Sequence, residues 1–347
     1  MAVDRLDQRG AAPAGALPGR PVTARLSSLL GGRAGEPRAA DDSAEIPQER
    51  PRPSRLPSAQ AAQPQVGCIV LTQGKRPTEL TRAIESVRAQ GGVGVDMLVV
   101  FNGSTARGLP PDVRPMELAA NLGAPGGRNA GVAEVDGDLL LFLDDDAELT
   151  PGALSQFVEA FAADPSLGLV QPRVIDPGGG TAPRRWVPRL RVGDPARSSD
   201  VCAVWEGAVV MRRTAFEASG GWPECFFLGH EGIDLAWRVW DAGFRVQYRG
   251  DIEVHHPVVA LDRHPHYRRN YGRNRVWIAR RNLPAPLAVA YCLTWLSLDL
   301  TRARRVGAAA EVLAGYRDGL SQFCGGRRPM RWRTAWRMTR AGRPPII

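Results

Sequence analysis

The 347-residue chain has only five cysteines, Cys68, Cys202, Cys225, Cys292 and Cys324, and no CxxC pair among them. An odd, scattered set indicates neither a disulfide framework nor a zinc site, and it suits a reducing, cytosolic setting. No internal repeat is visible. Residues 1–64 lack any sustained apolar period and are rich in Ala, Pro, Gly and Arg, so this segment is expected to be disordered. It also lacks the apolar core of a secretory signal, and nothing in it argues for export. Acidic residues are scarce at the other end. From Arg263 onward there are 18 arginines and 3 acidic residues, whereas the whole chain carries only +9, so the basicity belongs to the tail and the remainder is net acidic. Such a tail suits an anionic membrane surface or a nucleic acid, with a merely solvated charged face as the plain alternative. No nucleic-acid recognition motif accompanies it, and no nucleic-acid partner is expected.

What is present is an ordinary globular composition, 44% hydrophobic and 23% charged, able to bury a core. Val66 to Thr72 reads as a buried strand, and a helix follows Pro77, with Leu80, Ile84 and Val87 on one face. Met97 to Phe101 is a second strand. A short strand near Glu117 to Ala119, a helix from about Pro125 to Ala133 and an apolar run from Leu139 continue the alternation, which implies a parallel sheet with helices on both faces. Later come a helix over Pro151 to Ala163 and strands at Leu167 to Pro172 and Val201 to Met211. Thr214 and Glu217 have capping-box spacing for a short helix, Ile233 to Ala242 is helical, and Phe244 to Tyr248 and Ile252 to Val254 are extended.

The most informative stretch is Leu139 to Leu143 followed at once by Asp144, Asp145 and Asp146. Side chains alternate along a strand, so Asp144 and Asp146 share a side and can hold a hard divalent cation between them, with Asp145 opposite. Thr150 and Pro151 read as N-cap and first residue of the next helix. In open α/β sheets the ligand crevice lies beyond the carboxyl ends of the strands, where these aspartates sit. The bland alternative is an acidic turn that only caps a helix.

Four motifs stand in order: Val-Leu-Thr-Gln-Gly-Lys-Arg-Pro (70–77), Asn-Leu-Gly-Ala-Pro-Gly-Gly-Arg-Asn-Ala-Gly (121–131), Leu-Asp-Asp-Asp (143–146) and His-Glu-Gly-Ile-Asp-Leu-Ala-Trp-Arg (230–238). Through them the chain resembles the inverting family 2 glycosyltransferases, including cell-surface polysaccharide and rhamnosyl-type members, over about residues 66–257. The resemblance implies a GT-A (Rossmann-like) α/β fold with a mixed sheet, spanning 65–262 between the disordered segment and a basic helical extension at 263–347. It also implies a nucleotide-diphosphate sugar donor, a glycan or lipid-linked acceptor and a divalent metal, Mn or Mg. Thr72 and Gly74 are then expected at the nucleotide, Arg128 at the diphosphate, and Asp144 and Asp145 along the donor. Relatives usually end the second strand in a base-reading aspartate; here Phe101 and Asn102 stand there, and Asn102 can offer a donor and an acceptor. Asp144, Asp146 and His255, preferred over His256, are the expected metal ligands.

Displacement at an anomeric carbon needs a carboxylate to take the acceptor's proton. Many relatives carry Glu-Asp with the aspartate in that role, whereas this chain has Glu231 followed by Gly232. Glu231 is the first candidate, and Asp234, three residues on, the second. Trp205 and Glu206 fall where relatives build the acceptor side, with Trp222 nearby. A scaffold that binds nucleotide-sugar without turnover is the rival reading, favoured by Gly232 and Phe101.

In the tail, Leu283 to Leu300 is apolar except for Asp299 and is flanked by arginines. It is short for a spanning helix, and Pro284 and Pro286 shorten it further. The expectation is a helix lying in the membrane interface, with Trp277, Trp295, Trp332 and Trp336 as anchors and the protein peripheral on the cytoplasmic face of the plasma membrane. The alternative is a helical subdomain packed on the catalytic core.

Overall fold

The computed structural model describes residues 65–259, 267–303 and 305–346. The expected disorder of 1–64 and the boundary at 262 lie outside the described residues. A nine-stranded sheet organises the rest: β1 (Val66–Thr72), β2 (Val95–Asn102), β3 (Arg114–Leu118), β4 (Leu139–Asp144), β5 (Glu148–Leu149), β6 (Leu167–Ile175), β7 (Ser199–Asp200), β8 (Ala208–Arg212) and β9 (Arg245–His255). Their order is β3-β2-β1-β4-β8-β6-β9-β5, with β7 beside β9. The first four are parallel, but β8 runs antiparallel between β4 and β6, so the sheet is mixed and not the all-parallel one that alternation alone implies.

Burial on both faces explains the unbroken apolar runs. In β4, Leu139, Leu141 and Leu143 enter one hydrophobic cluster while Leu140 and Phe142 enter the other. Helices α1 (Pro77–Arg88) and α3 (Ala153–Ala163) cover the first face; α2 (Gly123–Val132), α4 (Arg213–Ser219) and α5 (Glu231–Asp241) cover the second. In α2, a Cβ on Gly127 would lie 2.5 Å from Leu71 Cδ1 and one on Gly131 2.8 Å from Ile69 Cγ2. These two glycines therefore let the helix close on the sheet.

Several boundaries differ from the sequence reading. Helix α3 starts after Gly152, which adopts a left-handed conformation, and Thr150 Oγ1 donates to the Glu253 carbonyl at 2.7 Å instead of capping the helix. Helix α4 has no side-chain cap, so the Thr214–Glu217 box is not formed. Strand β8 begins only at Ala208; residues 201–207 leave the ladder and carry Trp205 and Glu206 toward the β4 end. The two extended pieces after α5 merge into β9, whose register against β6 shifts between Pro172 and Arg173.

The tail folds as α6 (Tyr267–Asn282), α7 (Ala285–Arg302), α8 (Val306–Ser321) and α9 (Trp332–Arg340). Trp277, Ile278, Leu283, Tyr291, Met330 and Met338 join the same hydrophobic cluster as Leu235 and Trp240 of α5. Trp277 is thus a core residue and not a membrane anchor. No helix among the described residues is long and apolar enough to cross a membrane. One covalent link reinforces the docking: Cys225 and Cys324, 99 positions apart in sequence, form a disulfide with Cα atoms 5.8 Å apart. This corrects the expectation of no disulfide, and the cysteines no longer argue for a reducing compartment.

Candidate active site

Strand β1 is flanked by β2 on one side and β4 on the other, so the chain's direction of travel across the sheet reverses between β1 and β4, and their carboxyl ends open a crevice there. Thr72, Asp144, Asp145 and Asp146 line that edge. Thr72 Oγ1 donates to Asp145 Oδ2 at 2.6 Å and accepts the Gly74 N–H at 2.9 Å, fixing both the first loop and the acidic corner. Gly74 has φ +68°, a left-handed conformation that favours glycine. Asp145 is buried, which pushes its carboxyl up to about 6 against the pull of Thr72 and Arg76. Arg76 spans Asp145, at 2.6 Å, and Asp146. This arginine, next to last in the first quoted motif, is not singled out by the sequence, because an arginine before a helix reads as surface.

Asp144, Asp146 and His256 each turn a ligand atom into a space no more than 4.8 Å across. The chain leaves β4 at Asp144, so a turn and not strand alternation gives Asp144 and Asp146 their common side. His256, not His255, completes the group: its Nε2 lies 3.1 Å from Asp146 Oδ1, whereas His255 is the last residue of β9, paired with Glu148. Consecutive residues leaving a strand face opposite ways, and the choice between adjacent histidines needed the register. Two carboxylates and one imidazole fit a divalent ion such as Mn, which accepts both donor types more readily than Mg does.

Asn102 is buried and spends its amide on the start of α2, donating to the Gly123 carbonyl at 2.9 Å and accepting the Leu122 N–H at 2.8 Å. Its side chain thus ties the end of β2 to the start of α2. Arg128, only 2% exposed, reaches Asp144 Oδ1 with Nη2 at 2.8 Å and lies 4.9 Å over the Trp222 ring. Its Nε and Nη1 have no hydrogen-bond partner. A buried guanidinium with two idle donors is suited to an incoming oxyanion. Trp222 itself sits in the core against Phe142.

The Glu-Gly pair opens α5, where the helix dipole favours carboxylates. Glu231 is 3% exposed and its Oε2 has no partner; burial and the neighbouring Glu206 push its carboxyl up to about 8. Glu206 is raised too, chiefly by burial, and its Oε1 accepts the Gly232 N–H at 2.8 Å. A Cβ at position 232 would come within 2.4 Å of the Val204 carbonyl and 2.7 Å of Glu206 Oε1. The glycine therefore leaves the space that Glu206 fills, so a second carboxylate reaches the helix start from another segment. Trp205 edges onto His256, with ring centroids 4.8 Å apart, and so ties this loop to the acidic corner.

Asp234 is fully buried and fully engaged: Arg238 lies at 2.6 Å, Arg281 at 3.1 Å and Asn282 Nδ2 at 2.6 Å. Burial alone would raise its carboxyl, but the two guanidinium groups hold it below the usual range. The structure thus gives Asp234 the work of anchoring α6 to α5, whereas Glu231 and Glu206 have no ion pair among the described residues.

Residues 68–220 match the model of a family described as Glycosyl transferase family 2. Over those residues the chain is similar to glycosyl transferase family 2 domains. A pre-mycofactocin glycosyltransferase of Mycobacterium tuberculosis is 28% identical over 260 residues, covering 70% of this chain and 50% of its own length. The chain therefore spans half the length of that relative. An N-acetylglucosaminyl-diphospho-decaprenol L-rhamnosyltransferase of the same organism is 25% identical over 233 residues, 54% of this chain and 76% of that one. Among solved structures, S. aureus TarS superimposes with a TM-score of 0.54 at 15% identity, covering 74% of this chain and 49% of that one. GalNAc-T7 with UDP, GalNAc and Mn2+ gives 0.54 at 14% identity over 77% of this chain and 55% of that one. These likenesses show the GT-A fold for the described residues.

Proposed function

We propose that the protein is a metal-dependent inverting glycosyltransferase that moves a sugar from a nucleotide diphosphate to a hydroxyl of a glycan or lipid-linked acceptor in cell-envelope polysaccharide synthesis. The observation that carries this reading is the Asp144–Asp146–His256 group beside two buried carboxylates at the crevice of the sheet. Asp144, Asp146 and His256 would hold Mn or Mg, which when bound would offset charge on the leaving diphosphate. Arg128 offers its idle donors to the same diphosphate. Glu231 takes the acceptor's proton, and Glu206 tunes it. Solved relatives with UDP, GalNAc and Mn2+, or with UDP-GlcNAc, support the donor class by analogy of fold.

Thermal unfolding against a panel of nucleotide-sugars, with and without Mn2+, tests the reading. One donor at 100 times its dissociation constant should stabilise the protein by about 2.7 kcal/mol, and only with metal present. Stabilisation by none would end the proposal. Stabilisation without any donor hydrolysis or transfer would favour the scaffold reading that Gly232 suggests.

We further propose that the protein works at an anionic, cytoplasm-facing membrane surface. Trp332 and Trp336 on α9 are 60% and 59% exposed, and Val289 and Leu293 on α7 also face outward, among the tail's arginines. Exposed aromatic and aliphatic side chains between cations suit the interface of a bilayer rich in acidic lipid. Flotation of the full chain with phosphatidylglycerol liposomes should weaken with salt and be lost with neutral lipid; indifference to both would sink the idea.

A further inference from the structure

A cavity of about 540 Å³ opens from Glu206 and Trp205 toward the tail helices. Its charge is lopsided. Arg184, Arg185, Arg268, Arg275, Arg302 and Arg343 line it, against two carboxylates among the described residues of its wall, Glu206 and Asp299. Asp299 is already taken by Arg275 at 2.7 Å, and Arg275 Nη1 still has no hydrogen-bond partner although the residue is 6% exposed. Arg302 lies against the Trp295 ring, 5.7 Å from its centroid. Arg185 has one long bond, 3.4 Å, to the Val259 carbonyl. Guanidinium groups gathered in a concave wall repel one another unless an anion joins them. Their planar forks match phosphate oxygens better than any other common ligand.

The rest of the wall is apolar or aromatic: Leu190, Ile233, Leu298, Val312, Tyr271 and Trp295. Helix α7 contributes Trp295 and Leu298 to the wall. The apolar side of the cavity thus runs along the inner face of α7. Only a ligand with both a strong anion and a hydrocarbon part uses both features.

We propose that this cavity is the acceptor site and that it takes a phosphate- or diphosphate-linked amphiphile, with the anion on the arginines, the reacting sugar at Glu206 and Trp205, and the hydrocarbon along α7. The inference rests on the glycosyltransferase reading for the role of the site, but the binding does not.

Quenching of tryptophan fluorescence by farnesyl diphosphate, in EDTA and again with saturating UDP and Mn2+, tests it. Saturable binding is expected in both conditions, because the site is separate from that of the nucleotide. Inorganic pyrophosphate should bind more weakly, which separates a lipid-linked anion from a free one, and octyl glucoside should not bind measurably. Arg185→Gln with Arg268→Gln, both partly exposed positions, should weaken binding by about tenfold or more without lowering the melting temperature. No binding, displacement by UDP, equal binding of octyl glucoside, or an unaffected double variant would each overturn the proposal. Loss of nucleotide-sugar binding with farnesyl diphosphate still bound would instead break the donor reading alone.

Discussion

Asp146→Ala is expected to abolish metal-dependent donor binding and to lower turnover by a factor of about 100 or more, equivalent to about 2.7 kcal/mol of transition-state stabilisation. Three side chains converge on the candidate metal space, and Asp146 is the buried carboxylate among them, in contact with His256 and Arg76. Removing it leaves Asp144, already paired with Arg128, and one imidazole. Two ligands at an exposed edge cannot compete with water for a hard cation. The fold should survive, since Asp146 lies in a turn outside both hydrophobic clusters and Arg76 keeps Asp145. Calorimetric titration of Mn2+ with UDP, beside a melting curve, separates the two effects. The adjacent histidines supply the control: His256→Ala should weaken metal binding strongly and His255→Ala hardly at all. Turnover by Asp146→Ala within about tenfold of the parent would make the carboxylate a structural residue of the turn.

Much of this architecture is written in local patterns. The β1 and β4 strands are apolar up to their last residue because both faces are covered, and Pro77 at the first helical position marks the start of α1. The aspartate corner was legible for the same reason, since three carboxylates directly after a buried strand have few other uses. What failed to show was set by pairing between distant segments. His256 over His255 depends on where β9 ends against β5 and β6, and the Cys225–Cys324 bond depends on the tail folding back across 99 residues. Asp234 had suitable chemistry, but its hydrogen bonds and ion pairs are spent inside the protein. Glu206 is the instructive residue. Sequence put it on the acceptor side, yet its relation to Gly232 exists only in three dimensions, where the missing Cβ of one is the space of the other.

That relation yields the sharpest expected result at the catalytic step. Glu231→Gln keeps size and removes basicity, so turnover should fall by a factor of about 100 or more at every pH with donor affinity nearly unchanged. In the parent protein burial and the like charge of Glu206 push the Glu231 carboxyl up to about 8, which favours the protonated form, unable to accept a proton, as pH falls. Turnover should therefore rise with pH through that value. Glu206 contributes to the upward shift as a like charge, and Glu206→Gln removes that charge. The variant's rising limb should then lie at lower pH than the parent's, with a smaller loss of maximal rate than Glu231→Gln causes. Asp234→Asn should behave differently again, lowering the melting temperature by weakening the buried network with Arg238 and Arg281 while leaving the pH limb of the surviving enzyme in place. pH–rate profiles of all three variants decide the roles. A silent Glu206→Gln beside an active Glu231→Gln would exchange the two glutamates, making the carboxylate that faces the acceptor cavity the base. Two active glutamine variants with unchanged limbs would place the base outside this pair.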